Sequence, residues 1–322
     1  MTEDWADSSE LYPIREQLEQ AVHQHRLPPQ FLADCPRIIL PIARKIARSH
    51  EARSQEAGAL IWGVCGSQGS GKSTMVHFLS IMLESLCKLR CLTLSIDDFY
   101  LSKAARRSLA DEVHPLLKTR GVPGTHDVER GIELFRGLKQ SRPGQSEHAP
   151  LSLPVFDKAR DDVAEGDRPG PYSHEVDIVL FEGWCVGTPP QPASALVEPV
   201  NKLEAQEDPD GQWRHFVNAE LEGAYAEWFS LLDHLLLIKA PGFDKVHQWR
   251  LEQEDKLRAS FTDKGEAPPS GLMDAAQIQR FISHYERLTR WNLEVLPEKA
   301  DMVLELNEDH SMRRLVTPKY SA

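Results

Sequence analysis

Residues 63–74 read Gly-Val-Cys-Gly-Ser-Gln-Gly-Ser-Gly-Lys-Ser-Thr, and Gly66 to Ser73 fit the spacing G-x-x-x-x-G-K-[ST]. A polyphosphate has to be wrapped by backbone N–H groups, which demands close approach and positive φ angles. Gly66, Gly69 and Gly71 supply both. Ser67, Gln68 and Ser70 complete the loop, and Thr74 enters the segment behind it. Lys72 is placed to reach the β- and γ-phosphates, and the Ser73 hydroxyl to ligate Mg²⁺. Upstream, the apolar run 59–65 suits a buried strand; downstream, residues 74–83 carry apolar side chains at helical spacing. Strand, glycine loop and helix together point a helix N-terminus at an anion. The stretch predicts a nucleoside triphosphate site, with ATP and Mg²⁺ as its ligands.

The chain has 322 residues, enough for one large α/β domain with insertions or two small ones. Its formal net charge of −12 argues against a nucleic-acid-binding face, because a polyanion would be repelled. No apolar run is long enough for a bilayer, so no membrane partner is expected. The acidic start, residues 1–10, has the character of neither a secretory signal nor an arginine-rich transit peptide. Five cysteines without framework spacing read as free thiols in a reducing compartment, which makes the cytoplasm the expected location.

Residues 12–57 read as two or more helices interrupted by prolines, so 1–58 is expected as a helical extension ahead of a phosphate-loop domain at 59–322. Four further short apolar runs, at 91–96, 176–181, 234–238 and 301–306, join 59–65 as core strands. Helical segments between them predict a three-layer α/β/α sandwich around a mostly parallel, five-stranded sheet. Residues 140–175 are irregular and rich in Pro, Gly, Asp and Arg, a composition suited to a substrate loop. Residues 186–212 read as a surface insertion, and 244–291 as a charged helical lid.

A phosphate loop alone does not separate a switch, a motor and a metabolic kinase. In open α/β sheets, ligands gather at the carboxyl ends of strands. Glu182 follows the third run and is placed to hold the Mg²⁺ shell; Asp97 and Asp98 follow the second. One of the pair is a candidate base for an attacking hydroxyl. Adjacent side chains leave a strand on opposite faces, so only one is expected to meet that hydroxyl.

Residues 95–100, Ser-Ile-Asp-Asp-Phe-Tyr, resemble the D-x-F-Y/L segment of the phosphoribulokinase, uridine kinase and pantothenate kinase superfamily. Residues 120–127, Arg-Gly-Val-Pro-Gly-Thr-His-Asp, resemble an acceptor-site element of the pantothenate kinases. Together with the blocks at 153–163, 181–187 and 281–291, the chain looks most like the plant-type D-glycerate 3-kinases over roughly residues 55–310. The resemblance implies that Asp97 is the base, that Lys72 and Glu182 complete the catalytic set, and that Ser73 and Glu182 hold the metal. It also implies an acceptor pocket lined by Tyr100, Arg120, His126, Asp127, Lys158 and Arg160, with Arg250 in the lid. Basic residues collected in irregular segments near strand ends suit a small anionic acceptor, since a guanidinium can hold a carboxylate bidentately. The expectation is a small-molecule kinase for D-glycerate. Pantothenate or another small acid is the alternative within the fold. A regulatory ATPase acting on a protein is the alternative outside it.

Overall fold

The computed structural model describes residues 9–54, 56–141, 149–252 and 274–318. Three helices, α1 (Arg15–Gln24), α2 (Phe31–Asp34) and α3 (Leu40–Glu51), precede strand β1 (Leu60–Gly66) and helix α4 (Lys72–Ser85). Then come β2 (Cys91–Ser95), α5 (Lys103–Glu112) and α6 (Val128–Gln140). The segment expected as a substrate loop forms two small antiparallel ribbons. In one, β3 (Ser152–Leu153) pairs with β6 (Arg168–Pro169); in the other, β4 (Phe156–Asp157) pairs with β5 (Asp162–Val163). The chain continues through β7 (Ile178–Gly183), α7 (Lys202–Glu207), α8 (Gln212–Glu222), α9 (Ala224–Ser230) and β8 (His234–Lys239). A helix α10 is described over 243–252, followed by α11 (Ala275–Lys299), β9 (Met302–Leu306) and β10 (Met312–Val316).

The main sheet runs β10-β9-β8-β1-β7-β2, and all its pairings are parallel except β9 with β10. The alternation of the pleat explains the three layers. From β1, Leu60, Trp62 and Val64 enter one core with Phe78, Leu79 and Met82 of α4 and Leu18, Ile42 and Ile46 of the N-terminal helices. Ile61 and Cys65 face the opposite way, into a second core with Phe135 of α6, Trp228 of α9 and Leu288 of α11. The same split recurs in β7, where Ile178 and Leu180 join the first core and Val179 and Phe181 the second. A strand covered on both faces is apolar throughout, which is why these runs were legible.

The sheet has six strands rather than five. The added strand, β10, reads Met-Arg-Arg-Leu-Val, too charged for an apolar-run criterion. Arg313 and Arg314 both reach Glu305 on β9, and Arg37 donates to the Met312 and Arg313 carbonyls. Charged side chains and a covering segment are the usual protection of an edge. The expected lid divides into parts of different character. Residues 253–273 lie outside the described residues, whereas α11 is built into the domain, with Ile278, Ile282, Tyr285, Leu288 and Leu296 buried. No helix among the described residues is long and apolar enough to cross a membrane.

The insertion at 186–212 is held by buried charge. The Arg287 guanidinium on α11 donates to both Glu204 carboxylate oxygens (2.6 and 2.8 Å) and to the Ala195 and Glu198 carbonyls. Arg214 pairs with Asp208 at 2.8 Å, also buried. Removing one partner of such a pair leaves an uncompensated buried charge. Arg287→Leu should therefore lower stability by about 3–5 kcal/mol in urea unfolding. Adding Glu204→Leu should recover much of that loss. Equal stability of parent and Arg287→Leu would show that the pair does not anchor the insertion.

Candidate active site

Three parallel strand ends meet at one edge of the sheet. In register, Val64 of β1 lies beside Glu182 of β7, which lies beside Ser95 of β2. The phosphate loop leaves β1 and enters α4. Gly69 and Gly71 take φ values of 76° and 85°, in the left-handed region that glycine tolerates. Gly66 does not share that conformation; its requirement is closeness, because a Cβ there would sit 2.7 Å from the Ser70 Oγ. The Lys72 ammonium donates to the Ser67 carbonyl at 3.0 Å. The Ser67 and Ser70 hydroxyls are buried without a hydrogen-bond partner among the described residues, as is the Gln68 side-chain oxygen. Orphaned hydroxyls beside an open helix N-terminus suit a phosphate ligand. The Ser73 hydroxyl donates to Glu182 Oε1 at 2.6 Å, which brings two hard oxygen donors together.

Asp97 and Asp98 lie in the 3₁₀ turn Ile96–Phe99 directly after β2, and they do different work. Asp98 closes a capping box: its carboxylate accepts from the Ser95 N–H at 3.3 Å, and burial pushes its carboxyl up. Asp97 is turned toward the loop segments. It accepts from the Tyr100 hydroxyl at 2.9 Å and from the Lys158 ammonium at 2.7 Å. Burial alone would raise the Asp97 carboxyl; Lys158 outweighs it, aided by Tyr100 and Lys72, and holds it below the ordinary carboxylate range. Tyr100 in turn stacks on His126, with centroids 4.6 Å apart, and the two residues form a backbone bridge.

The residues expected around an acceptor therefore separate. Asp97, Tyr100, His126 and Lys158 converge. Arg120 is close by, over the Phe156 ring at 5.3 Å, but its guanidinium is paired with Asp161. Asp127 is the N-cap of α6, accepting from the Arg130 N–H at 3.1 Å. Arg160 stands apart in an exposed pair with Glu165 at 3.0 Å. Its ribbon turns the side chain outward, so position in an irregular segment did not translate into a place at the site.

Several supporting residues were given no role by the sequence, although Trp184 and Tyr285 fall within the blocks 181–187 and 281–291 that carry the resemblance. Arg106 of α5 is almost fully buried and donates to the Leu101, Lys118 and Asp161 carbonyls, tying the Lys158 ribbon to the domain. Trp184 Nε1 donates to the Gly121 carbonyl and the Tyr285 hydroxyl to the Arg120 carbonyl, which fixes the 120–127 loop. A buried arginine and an aromatic donor look like any other residue until their partners, distant in sequence, are known.

On the other side of the phosphate loop, a cleft of about 1280 Å³ begins at Ser70, Gly71 and Thr74. Arg250 of α10 and His310 of the β9–β10 turn line it, and the turn between α1 and α2 closes its far wall. Trp249 packs over Gly69, stacks on His310 at 4.1 Å and donates to the Glu308 carbonyl. Arg250 itself lies 5.9 Å from the Phe281 ring centroid.

No family model matches the chain. A Schizosaccharomyces pombe protein called "Uncharacterized kinase mug58" is 32% identical over 258 residues, covering 76% of this chain and 85% of that protein. The chloroplastic D-glycerate 3-kinase of Arabidopsis thaliana is 28% identical over 232 residues. That alignment takes in 70% of this chain and 46% of the plant protein, so the match spans about half of the plant protein's length. Among solved structures, a D-glycerate 3-kinase from Cryptococcus neoformans superposes with a TM-score of 0.67 at 24% identity, over 86% of this chain and 97% of that one. This last likeness establishes the shared fold.

The Lys158–Asp97 contact makes a signed prediction about pH. Lys158 is the largest influence holding the Asp97 carboxyl down, and burial opposes it. In Lys158→Met, burial is left to dominate, so the acid limb of the kcat/KM profile should move to higher pH. An acid limb in the same place in parent and variant would show that Asp97 does not set it.

Proposed function

The chain belongs to the P-loop kinase family of the fission-yeast kinase mug58 and the plant D-glycerate 3-kinase, and from that premise we propose that it transfers the γ-phosphoryl group of ATP to the 3-hydroxyl of D-glycerate. The observation that carries this reading is Asp97, a carboxylate at a strand end beside the phosphate loop and within reach of Lys72, bonded to Lys158 and Tyr100. A group so placed can take a proton from a bound hydroxyl. The hydroxyl oxygen then bonds to the γ-phosphorus as the bond to the β–γ bridging oxygen breaks, and the proton stays on Asp97. Phosphoryl transfer needs positioning and charge neutralisation more than covalent help. Lys72 supplies part of that charge from the first turn of α4.

Mg²⁺ fits the oxygen donors Ser73 and Glu182, which would hold it alongside phosphate oxygens and water. When bound there, it neutralises charge on the β- and γ-phosphates. The nucleoside would leave the loop at Thr74 and enter the cleft beneath Arg250 and His310.

A carboxylate held low by an ammonium is a weak base, because the best general bases titrate near the working pH. A carboxylate on the acceptor changes this. Lys158 is largely exposed on its ribbon, and a second anion beside it would draw it partly off Asp97. The acceptor would then restore basicity to the group that deprotonates it. That coupling favours a hydroxy acid over a neutral polyol, and glycerate is the acceptor in the plant relative's name.

Coupled ADP release with D-glycerate, pantothenate, uridine and glycerol tests the reading. Glycerate should be turned over far faster than glycerol. Asp97→Asn should lose about 10²–10⁴-fold in kcat with ATP still bound, the scale of a general base. Asp98→Ala, which removes the acceptor for the Ser95 N–H, should cost less in rate and more in stability, through the lost cap. Equal use of glycerate and glycerol would contradict an acceptor site built around an anion.

A further inference from the structure

The acceptor side of the site contains one buried polar atom with no assigned partner. His126 is 4% exposed, and its Nε2 finds no hydrogen-bond partner among the described residues. Its Nδ1 lies 2.6 Å from the Tyr225 hydroxyl. Tyr225, on α9, is completely buried, and its phenol oxygen accepts from the Gly124 N–H at 3.0 Å. With its oxygen already accepting from a backbone donor, the phenol has its own proton left to place, and the imidazole Nδ1 is the acceptor within reach. The reverse arrangement would leave a buried O–H unsatisfied, a costly state in a dry interior.

The consequence concerns the other nitrogen. Burial pushes the His126 ring down to about 3, against the pull of Asp97, so the ring is neutral and carries a single proton. If Nδ1 accepts, that proton sits on Nε2. The ring is clamped against Tyr100, whose hydroxyl is bonded to Asp97, and Nε2 lies on the edge turned away from Tyr225. The result is a fixed donor, one aromatic layer from Asp97, with no acceptor among the described residues to receive it.

We propose that Tyr225 is a positioning residue that locks His126 as its Nε2–H tautomer, so that the imidazole donates to an oxygen of the acceptor substrate. The ligand class follows from the chemistry: a carboxylate or hydroxyl oxygen satisfies the donor, whereas an ammonium in the same place leaves it unpaired. This inference rests on the proposed reading for the location of the acceptor, and His126 enters that pocket by resemblance. The tautomer and its control by Tyr225 come from the hydrogen bonding.

The test is Tyr225→Phe, read by ¹⁵N NMR of the histidine ring and by steady-state kinetics. The parent should show His126 protonated at Nε2 and bare at Nδ1. The variant should show mixed tautomers and a KM for the acceptor raised about 10-fold, with the KM for ATP unchanged, the loss expected for one misdirected hydrogen bond. An unchanged tautomer, or an equal rise in both KM values, would overturn the proposal. Should the loss of the Gly124 partner unfold the loop, His126→Gln and His126→Leu decide instead. The glutamine variant, which keeps an N–H donor, should retain acceptor binding better than the leucine variant, and equal losses would overturn the proposal. A parent protein that ignores glycerate would refute the acceptor assignment alone, because the NMR signature does not depend on it.

Discussion

The alignment of three strand ends underlies everything else in this site. β1 is buried on both faces, and its parallel neighbour β7 and then β2 share its register, so Val64, Glu182 and Ser95 lie side by side. Each strand then releases its functional group at the same edge: the phosphate loop from β1, a carboxylate from β7, and the Asp97 turn from β2. A register slip in β7 would carry Glu182 to the other face of the sheet and into an apolar core. The two-sided burial that makes these strands apolar runs also makes their register hard to change.

Around that edge, the protein is electrostatically economical. The chain carries a net charge of −12, yet Lys72, Arg120 and Lys158 are gathered near the strand ends. Two contacts at this edge have the character of placeholders. Ser73 donates to Glu182, and Lys158 donates to Asp97, each satisfying a group that a ligand would claim. Such contacts keep polar groups from being buried unpaired while leaving them available for exchange. In the proposed mechanism the Asp97 contact adds a coupling, since the cation that would meet an anionic acceptor is the one that holds the Asp97 carboxyl down.

What the sequence made legible follows from the range of each interaction. The phosphate loop is a local motif, and the five apolar runs are local periodicities, so both could be read without a structure. Strand alternation predicts that Asp97 and Asp98 differ in role, but the difference has another origin: both lie in the 3₁₀ turn after β2, where Asp98 is taken up by the capping box on Ser95. Elements defined by distant partners were not readable. Lys158 meets Asp97 across 61 residues and Arg287 meets Glu204 across 83. β10 is a strand because β9 and Arg37 receive it, not because of its own composition. Arg160 shows the converse error. Its residue type and neighbourhood suited an anion site, but its ribbon directs it to solvent and to Glu165. Arg106 and Tyr225, which hold the loops and ring that shape the acceptor side, carry no local signature at all.

In the proposed reaction Asp97, set against the phosphate loop, directs a phosphoryl group onto a small hydroxy acid rather than onto water. Phosphorus NMR of the products formed from ATP and D-glycerate measures this directly. One phosphate ester at the 3-position of glycerate should form for each ADP released. ADP accompanied by free inorganic phosphate, with no ester, would contradict it and would mark the chain as an ATPase.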